Sequence, residues 1–530
     1  MDRTVARGFL IPAVLVIAGC AEAGDAPGAG GETRGGGGTV VACLEQLPEN
    51  LNPFVSADQG SAELAPLVFT TLVEYAEPDS DRDFVPALAR SWEWEEEGRV
   101  VRFRIRGGLT WHDGRPVTSE DVAWTLSAAA DSAFGYWNWP DFSTLEGVSR
   151  VGEDEVEVRF SAPYGADLEP FATLPILPRH LLAEVAADTF GRAAYHRAPI
   201  GSGPYILRGR LRLTQLVYER NPAFPADLGA PTVERIVVKE IPEVTTQLVE
   251  LRTGESDLCL TGSRAAQQAR GIESLRVIPA SPGLNQVIFL DHRSKYLDTP
   301  EERRAISAAI DRDAIARLVS PLASSARSFL PVGWSTPDTL LQADAAAALA
   351  DSLLEAAGWS RDGGGTRRDG TGAPLAFPIL APQGYQDVLT VLQDQLARVG
   401  VAAEPRVMEG SAFIDLILDP DRRPPAMLIG LAPSRLKVPT PRSSLHTDGG
   451  TNLATYSNAA VDTLLDRLAT AAAASTRASI YQALQAHVVH DVPLIYLAHT
   501  PSVVIAGPSV DGVRAGPAGL FASAPEWRKR

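Results

Sequence analysis

Apolar and polar positions alternate with a period of two from Val101 to Arg106. Val101, Phe103 and Ile105 fall on one side, Arg102, Arg104 and Arg106 on the other. That period places successive side chains on opposite faces of a strand, one buried and one wet. Ser91-Trp-Glu-Trp-Glu95 alternates in the same way, and Glu96-Glu-Gly-Arg99 supplies the turn between the runs, so a β-hairpin is predicted. Gly107, Gly108 and Gly114 then break the chain. Thr118-Ser-Glu-Asp121 opens a helix, with a hydroxyl placed to cap it and carboxylates at its positive end. Val122, Leu126 and Ala129 form its apolar stripe.

The same reading carries through the rest of the chain. Residues 39–44 read as a buried strand, 63–75 as a helix and 155–160 as a strand. Residues 233–241, 244–252 and 256–260 read as strand, helix and strand, a βαβ unit with parallel strands and a right-handed crossover. The strand 285–290 is expected to cross between lobes. Thr299-Pro-Glu-Glu302 opens a helix with cap, first-position proline and first-turn acids all in place. Residues 375–380, 386–399, 401–407, 411–418 and 426–431 alternate strand and helix, half of a doubly wound lobe. Helices near 458–470 and 475–490 follow, and 493–498 and 502–505 close the chain as two strands, back in the first lobe.

At 530 residues the chain is long enough for about three or four globular units. Its 45% hydrophobic and 21% charged content is that of a folded protein. A net charge of −17 argues against nucleic acid or an anionic membrane surface as the main partner. Arg3 and Arg7 precede an apolar run over 9–18, a signal-peptide pattern too short to span a bilayer. Ile17-Ala-Gly-Cys20 then resembles the lipobox of bacterial lipoproteins. Residues 1–19 are thus expected to be a lipoprotein signal peptide. Cys20 is the expected lipidated residue, anchoring the chain to a membrane, and 20–38 form a Gly/Ala-rich tether. Cys43 and Cys259 remain, in an oxidising setting and in apolar strand-like runs; they either pair or stay as buried free thiols.

Pro86-Ala-Leu-Ala-Arg-Ser-Trp92, Arg106-Gly-Gly-Leu-Thr-Trp-His-Asp-Gly114 and Thr118-Ser-Glu-Asp-Val122 occur in this order. Together they resemble the signature region of family 5 extracellular solute-binding proteins, the peptide, dipeptide and nickel receptors of ABC importers. Pro199-Ile-Gly-Ser-Gly-Pro-Tyr-Ile206, Glu219-Arg-Asn-Pro222, the run from Arg303 to Asp313 and Tyr456-Ser-Asn-Ala-Ala-Val-Asp462 are further landmarks in family order. The resemblance implies an α/β, two-lobed periplasmic-binding-protein-like fold, of type II in its three-domain family 5 variant. Lobe I would comprise 39–82, 199–286 and 493–530, a small accessory lobe 83–198, and lobe III 287–492. The implied function is capture of a peptide-like or other small polar solute by hinge closure. Delivery would be to ABC permease subunits, by a monomer that is periplasmic or on the cell surface. A sensory or scaffold lipoprotein that kept the fold, and an exported hydrolase, are the rival readings.

The hydrolase reading lacks its motifs. There is no Gly-x-Ser-x-Gly, His-Glu-x-x-His or Cys-x-x-Cys, and no phosphate loop. Asp79-Ser-Asp-Arg-Asp83 imitates half a calcium loop, but Phe84 stands where glycine is needed and Arg90 where a glutamate is. His487 and His490 have helical metal spacing without a third ligand, and the resemblance implies that His112 beside Asp113 is part of a structural turn, not a catalytic base. No cofactor or metal is expected.

Ligands of doubly wound sheets sit beyond the carboxyl ends of the strands. Three loops qualify: Ser56-Ala-Asp-Gln-Gly60, Ala381-Pro-Gln-Gly-Tyr385 and Ala432-Pro-Ser-Arg-Leu-Lys437. The candidate contacts are Asp58, Gln383, Tyr385, Ser434, Arg435 and Lys437, with Asn285 on the crossing strand and Trp334 in Pro331-Val-Gly-Trp-Ser335. Tyr385 either offers its face and hydroxyl to the ligand or packs on its own helix; Trp334 either lines the cleft or anchors its loop. Peptide-binding members resemble one another in a Trp-x-x-Asp segment at the third loop, whose acid pairs with the peptide's amino group. Here Leu431 stands at the tryptophan position and Ser434 near the acid, followed by Arg435 and Lys437. Either the two cations meet anionic or hydrogen-bond-accepting groups of the ligand, or they face solvent and another residue supplies the acid.

Overall fold

The alternating run forms the strand Val100–Ile105, paired antiparallel with Ala89–Glu95 so that Trp92 faces Phe103 and Trp94 faces Val101. Val101, Phe103 and Ile105 are buried, while Arg104 stands in solvent. With Glu155–Phe160 and Leu145–Arg150 this hairpin makes a four-stranded antiparallel sheet. The helix Ser119–Ala130 packs on it through Val122, Leu126 and Ala129, all fully buried. Its start is the expected one: the Asp121 carboxylate accepts from the Thr118 backbone N–H at 2.9 Å, half of a reciprocal capping box. The helix Pro300–Ala309 begins on the same device, between Thr299 and Glu302.

In the computed structural model of the chain, the described residues are 38–530 except 57, 77–83, 138, 143, 163, 165–167, 212–213, 330–340, 362, 364, 432–440, 450–451, 472–473 and 517. Cys20, the signal peptide and the tether therefore lie outside the described residues. So do the loop at 432–437 and Trp334.

The main sheet is one hydrogen-bonded path. In spatial order it runs Ala402–Met408, Ala376–Pro382, Ala426–Leu431, Arg276–Leu290, Leu494–Ala506, Leu258–Thr261, Thr39–Leu44, Arg235–Glu240, Gln215–Arg220 and Tyr205–Leu211. Ser324–Ser325 adds a short pairing to Leu494–Ala506. Two strands, Arg276–Leu290 and Leu494–Ala506, belong to both halves of this path. Side chains of Arg276–Leu290 alternate between two apolar clusters, Ile288 and Leu290 in one and Val287 and Phe289 in the other. That half is therefore covered on both faces, as parallel strands require.

Several expectations change. The predicted helix over 63–75 is the helix Gln59–Val68 followed by the strand Val73–Tyr75, which pairs with Phe84–Pro86. A partner strand whose residues pair across the intervening loop decides that boundary, and the local pattern cannot register it. The two strands of the βαβ unit run parallel as expected, yet Thr39–Leu44 lies between them and hydrogen-bonds to both. The two closing strands are one, Leu494–Ala506. The polar stretch His499-Thr-Pro501 looks like a break, but its proline falls where the ladder is already interrupted. Pairing stops at Ala280↔Ser502 and resumes at Leu284↔Thr500, so the missing N–H of Pro501 leaves no ladder bond unmade. Cys43 and Cys259, left open above, face each other across neighbouring parallel strands and form a disulfide with Cα atoms 4.4 Å apart.

Candidate functional site

Register locates the site. In one half Thr39–Leu44, Arg235–Glu240 and Leu258–Thr261 are parallel. Leu258–Thr261 pairs antiparallel with Leu494–Ala506, Thr261 opposite Val503, and Val503 is in turn opposite Pro279. The carboxyl ends of these strands thus lie next to the segment where Arg276–Leu290 leaves for the other half. There it pairs antiparallel with Ala426–Leu431, with Asn285 opposite Leu431. Ala376–Pro382 runs parallel to Ala426–Leu431, so its end at Pro382 points the same way. The carboxyl ends of both strand sets therefore face one another across the crossing. Strands ending in that way leave free backbone groups and loops around a crevice, the usual ligand position in open α/β sheets.

At the crossing the two strands approach closely. A Cβ on Gly283 would lie 2.2 Å from the Thr500 carbonyl oxygen, so only glycine fits. Beside it Asn285 Oδ1 and His499 Nδ1 are 3.1 Å apart, and burial lowers the His499 pKa. On the opposite face the Tyr385 hydroxyl meets the Gln286 side chain and the Gly430 backbone; burial is the largest cause of its raised pKa, and both hydrogen bonds oppose it. Gln286 is 6% exposed, and its Oε1 has no hydrogen-bond partner among the described residues, nor has the buried hydroxyl of Thr500. A buried polar atom left unpaired costs about 1–3 kcal/mol. These two atoms lie on the same sheet face, because directly paired residues share a face and Thr500 pairs with Leu284, two positions before Gln286.

Of the eight candidate contacts, four are described and two meet at the crossing. Asn285 is on the crossing strand. The Tyr385 ring packs against the apolar cluster of its own half, and its hydroxyl reaches the crossing. Gln383 is exposed, and its backbone N–H donates to the Met408 carbonyl at 3.0 Å, joining the loops after two neighbouring strands. Asp58 is the N-cap of Gln59–Val68. Its carboxylate accepts from the Ser61 N–H at 2.8 Å and from the hydroxyls of Ser56 and Ser61, which commits it to the helix start. Trp334, Ser434, Arg435 and Lys437 lie outside the described residues. Sequence reasoning missed Gln286, His499 and Thr500. Their signal was a polar residue interrupting an otherwise apolar strand pattern.

The signature turn lies elsewhere. The His112 N–H donates to the Gly201 carbonyl at 2.8 Å, its Nδ1 accepts from the Gly201 N–H at 3.2 Å, and its Nε2 is 3.1 Å from the Gly203 carbonyl. Two sequence landmarks are thereby clasped together. Burial is the main cause that lowers the His112 pKa to about 4, so the ring is a neutral structural link at pH 7. No group of three or more metal-ligating side chains occurs among the described residues. No helix among them is long and apolar enough to cross a membrane.

Residues 83–450 match the model for bacterial extracellular solute-binding proteins, family 5. The chain belongs to that family. It is a solute-binding protein of the kind that serves ABC importers, and the resemblance carried by the signature region is confirmed. Over 514 residues it is 22% identical to the oligopeptide-binding protein AppA of Bacillus subtilis, covering 94% of this chain and 92% of that one. The structure of AppA in complex with a nonapeptide superposes with a TM-score of 0.79 at 20% identity, covering 93% and 99%. That of NikZ from Campylobacter jejuni in complex with Ni(L-His) gives 0.80 at 22% identity, again covering 93% and 99%. These likenesses show the fold: the solute-binding protein is α/β and two-lobed.

Proposed function

We propose that this solute-binding protein captures a small peptide-like solute between its lobes, closes on it by bending at the crossing strands, and hands it to an ABC permease without making or breaking a bond. The observation that carries this reading is the register: two sets of strand ends face each other, and two strands join them. A protein built so can close by adjusting a few backbone torsions at Ala280–Leu284 and Ser502–Thr500, where the ladder is interrupted. Peptide is the favoured chemistry because AppA is an oligopeptide-binding protein, while NikZ holds a nickel complex on the same fold.

In this reading 39–82, 199–286 and 493–530 form lobe I, 83–198 the accessory lobe and 287–492 lobe III. The chain works as a monomer, exported by residues 1–19 and tethered through a lipid on Cys20. Asn285, Tyr385 and Gln383 contact the solute together with Trp334, Ser434, Arg435 and Lys437; Asp58 serves by holding its loop. With Ser434 in place of an acid and two cations after it, the third loop offers nothing to neutralise a buried ammonium. The preferred solute therefore has a blocked or otherwise uncharged amino end.

Isothermal titration with matched free and N-acetylated di- to pentapeptides tests this. Acetylated peptides should bind more tightly, and Ser434→Asp should move the preference toward free amino ends. Tight binding of unmodified peptides, untouched by Ser434→Asp, would overturn the blocked-end part. Failure of every peptide would overturn the solute class.

A further inference from the structure

The segment 134–142 sits against the loop that leaves the first strand. The Trp137 N–H donates to the Phe54 carbonyl at 3.3 Å, and the Phe54 and Tyr136 rings lie 5.0 Å apart. Phe54 is two residues before Ser56, in the stretch that carries the lobe I cleft loop. Around this contact the packing is tight: Phe54, Tyr136 and Phe142 are buried, Phe190 packs on the Phe54 ring, and Asn52 is bonded to the His196 imidazole at 3.0 Å. From that base two indoles stand out. Trp137 is 50% and Trp139 41% exposed, the most open tryptophans among the described residues.

Large aromatic rings are ordinarily drawn into a core, and this segment has buried Tyr136 and Phe142. Two indoles two positions apart, left in solvent on a tightly packed base, are preorganised for a planar or apolar group, since little motion is lost when one docks. Their open area is on the order of 200 Å² at ordinary aromatic sizes. A stable protein partner needs roughly 800 Å² on each side, so a permease surface resting on this pair alone is too small a match. One ring of a small solute fits the scale. The pair adjoins the segment that leads into Ser56–Gly60, one of the three loops expected to carry ligand contacts, and in the peptide reading above this sets it toward the cleft.

We propose that Trp137 and Trp139 form an aromatic platform that stacks on a planar apolar side chain of the captured solute, and so set specificity for aromatic-bearing peptides. This rests on the peptide reading above. The probes are peptide pairs differing only by Phe in place of Ala, in free and acetylated forms, titrated into the full mature chain. Wild type should hold the Phe member about two- to tenfold more tightly, the range of an aromatic pair. Trp137→Ala and Trp139→Ala should each shrink that ratio with the Ala-peptide affinity nearly unchanged, and Trp137→Phe should restore it. A ratio of one in wild type, or one that survives both alanine variants, overturns the platform. So does unchanged binding with a loss of uptake, which would assign the rings to the permease.

Native mass spectrometry of wild type and the Trp137→Ala/Trp139→Ala double variant, purified from the native host, separates this proposal from the peptide reading. A ring-bearing non-peptide solute kept by wild type and lost by the double variant upholds the platform while the peptide class falls. Equal retention overturns the platform, whatever the solute. If neither protein retains a solute and no peptide binds, solute stacking is refuted together with the peptide class.

Discussion

Arg312 shows how much of its surroundings a single side chain organises. It is fully buried, and its guanidinium donates to the carbonyls of Tyr496, Ser307 and Ala343, to the Ser307 hydroxyl and to the Gln342 side chain, with Asp344 at 3.3 Å. Burial lowers its pKa to about 10, so it stays a cation at pH 7. Removing the side chain takes the guanidinium away from five acceptors and a carboxylate, of which Asp344 keeps the backbone N–H of residue 312 and Gln342 Oε1 keeps the Tyr496 N–H. Arg312→Ala should cost about 3–5 kcal/mol, read from urea unfolding, and Arg312→Lys should rescue little, because one ammonium cannot span the fork. His112 gives a pH signature. Its pKa falls from 6.5 to about 4 in the fold, so the folded state binds fewer protons than the unfolded state between those values. This contribution is present above pH 6.5 and lost as the pH falls toward 4, on the order of 3 kcal/mol at the full shift. Melting temperatures of wild type and His112→Gln across pH 4–7.5 should converge as the solution is acidified. Parallel curves would show that the ring carries no such linkage.

Among the elements, those set by neighbouring residues were legible in the sequence and those set by distant partners were not. The caps at Thr118 and Thr299 depend on a residue three positions away, and both form. The strand Val73–Tyr75 depends on Phe84–Pro86, and the pattern read it as helix. Close approaches between elements are equally invisible: a Cβ on Gly201 would lie 1.8 Å from the Val68 carbonyl oxygen, at the end of the Gln59–Val68 helix. Gly201→Ala should therefore destabilise the clasp between the signature turn and the Gln59–Val68 helix, by more than the roughly 1 kcal/mol typical of a point change. Gly283→Ala pushes the two crossing strands apart, and its effect should appear in solute affinity as well as in thermal unfolding. The disulfide joins strands whose own ladder already aligns Cys43 with Cys259. Its loss, in Cys43→Ala/Cys259→Ala, should lower stability by about 2–4 kcal/mol by urea unfolding without changing the secondary structure.

For the molecule as a whole, closure is the behaviour to measure. Small-angle scattering should show a smaller radius of gyration once a peptide that binds is added, and Gly283→Ala should blunt that change. An unchanged radius with saturating peptide would refute hinge closure.

What the sequence determined by itself was the family, the α/β class and most strands and helices, because hydrophobic period, caps and ordered motifs are local properties of the chain. It also pointed to loops at strand ends as the place for a ligand, and one of them reaches the crossing through Tyr385. The tertiary structure alone decided that two strands join the halves, that Cys43 and Cys259 meet, and that Asp58 caps a helix. It also brought Gln286, His499 and Thr500 to the crossing and left Trp137 and Trp139 exposed beside Phe54. Each of these depends on register or contact between residues tens to hundreds of positions apart, where a shift of one residue turns a side chain to the other face.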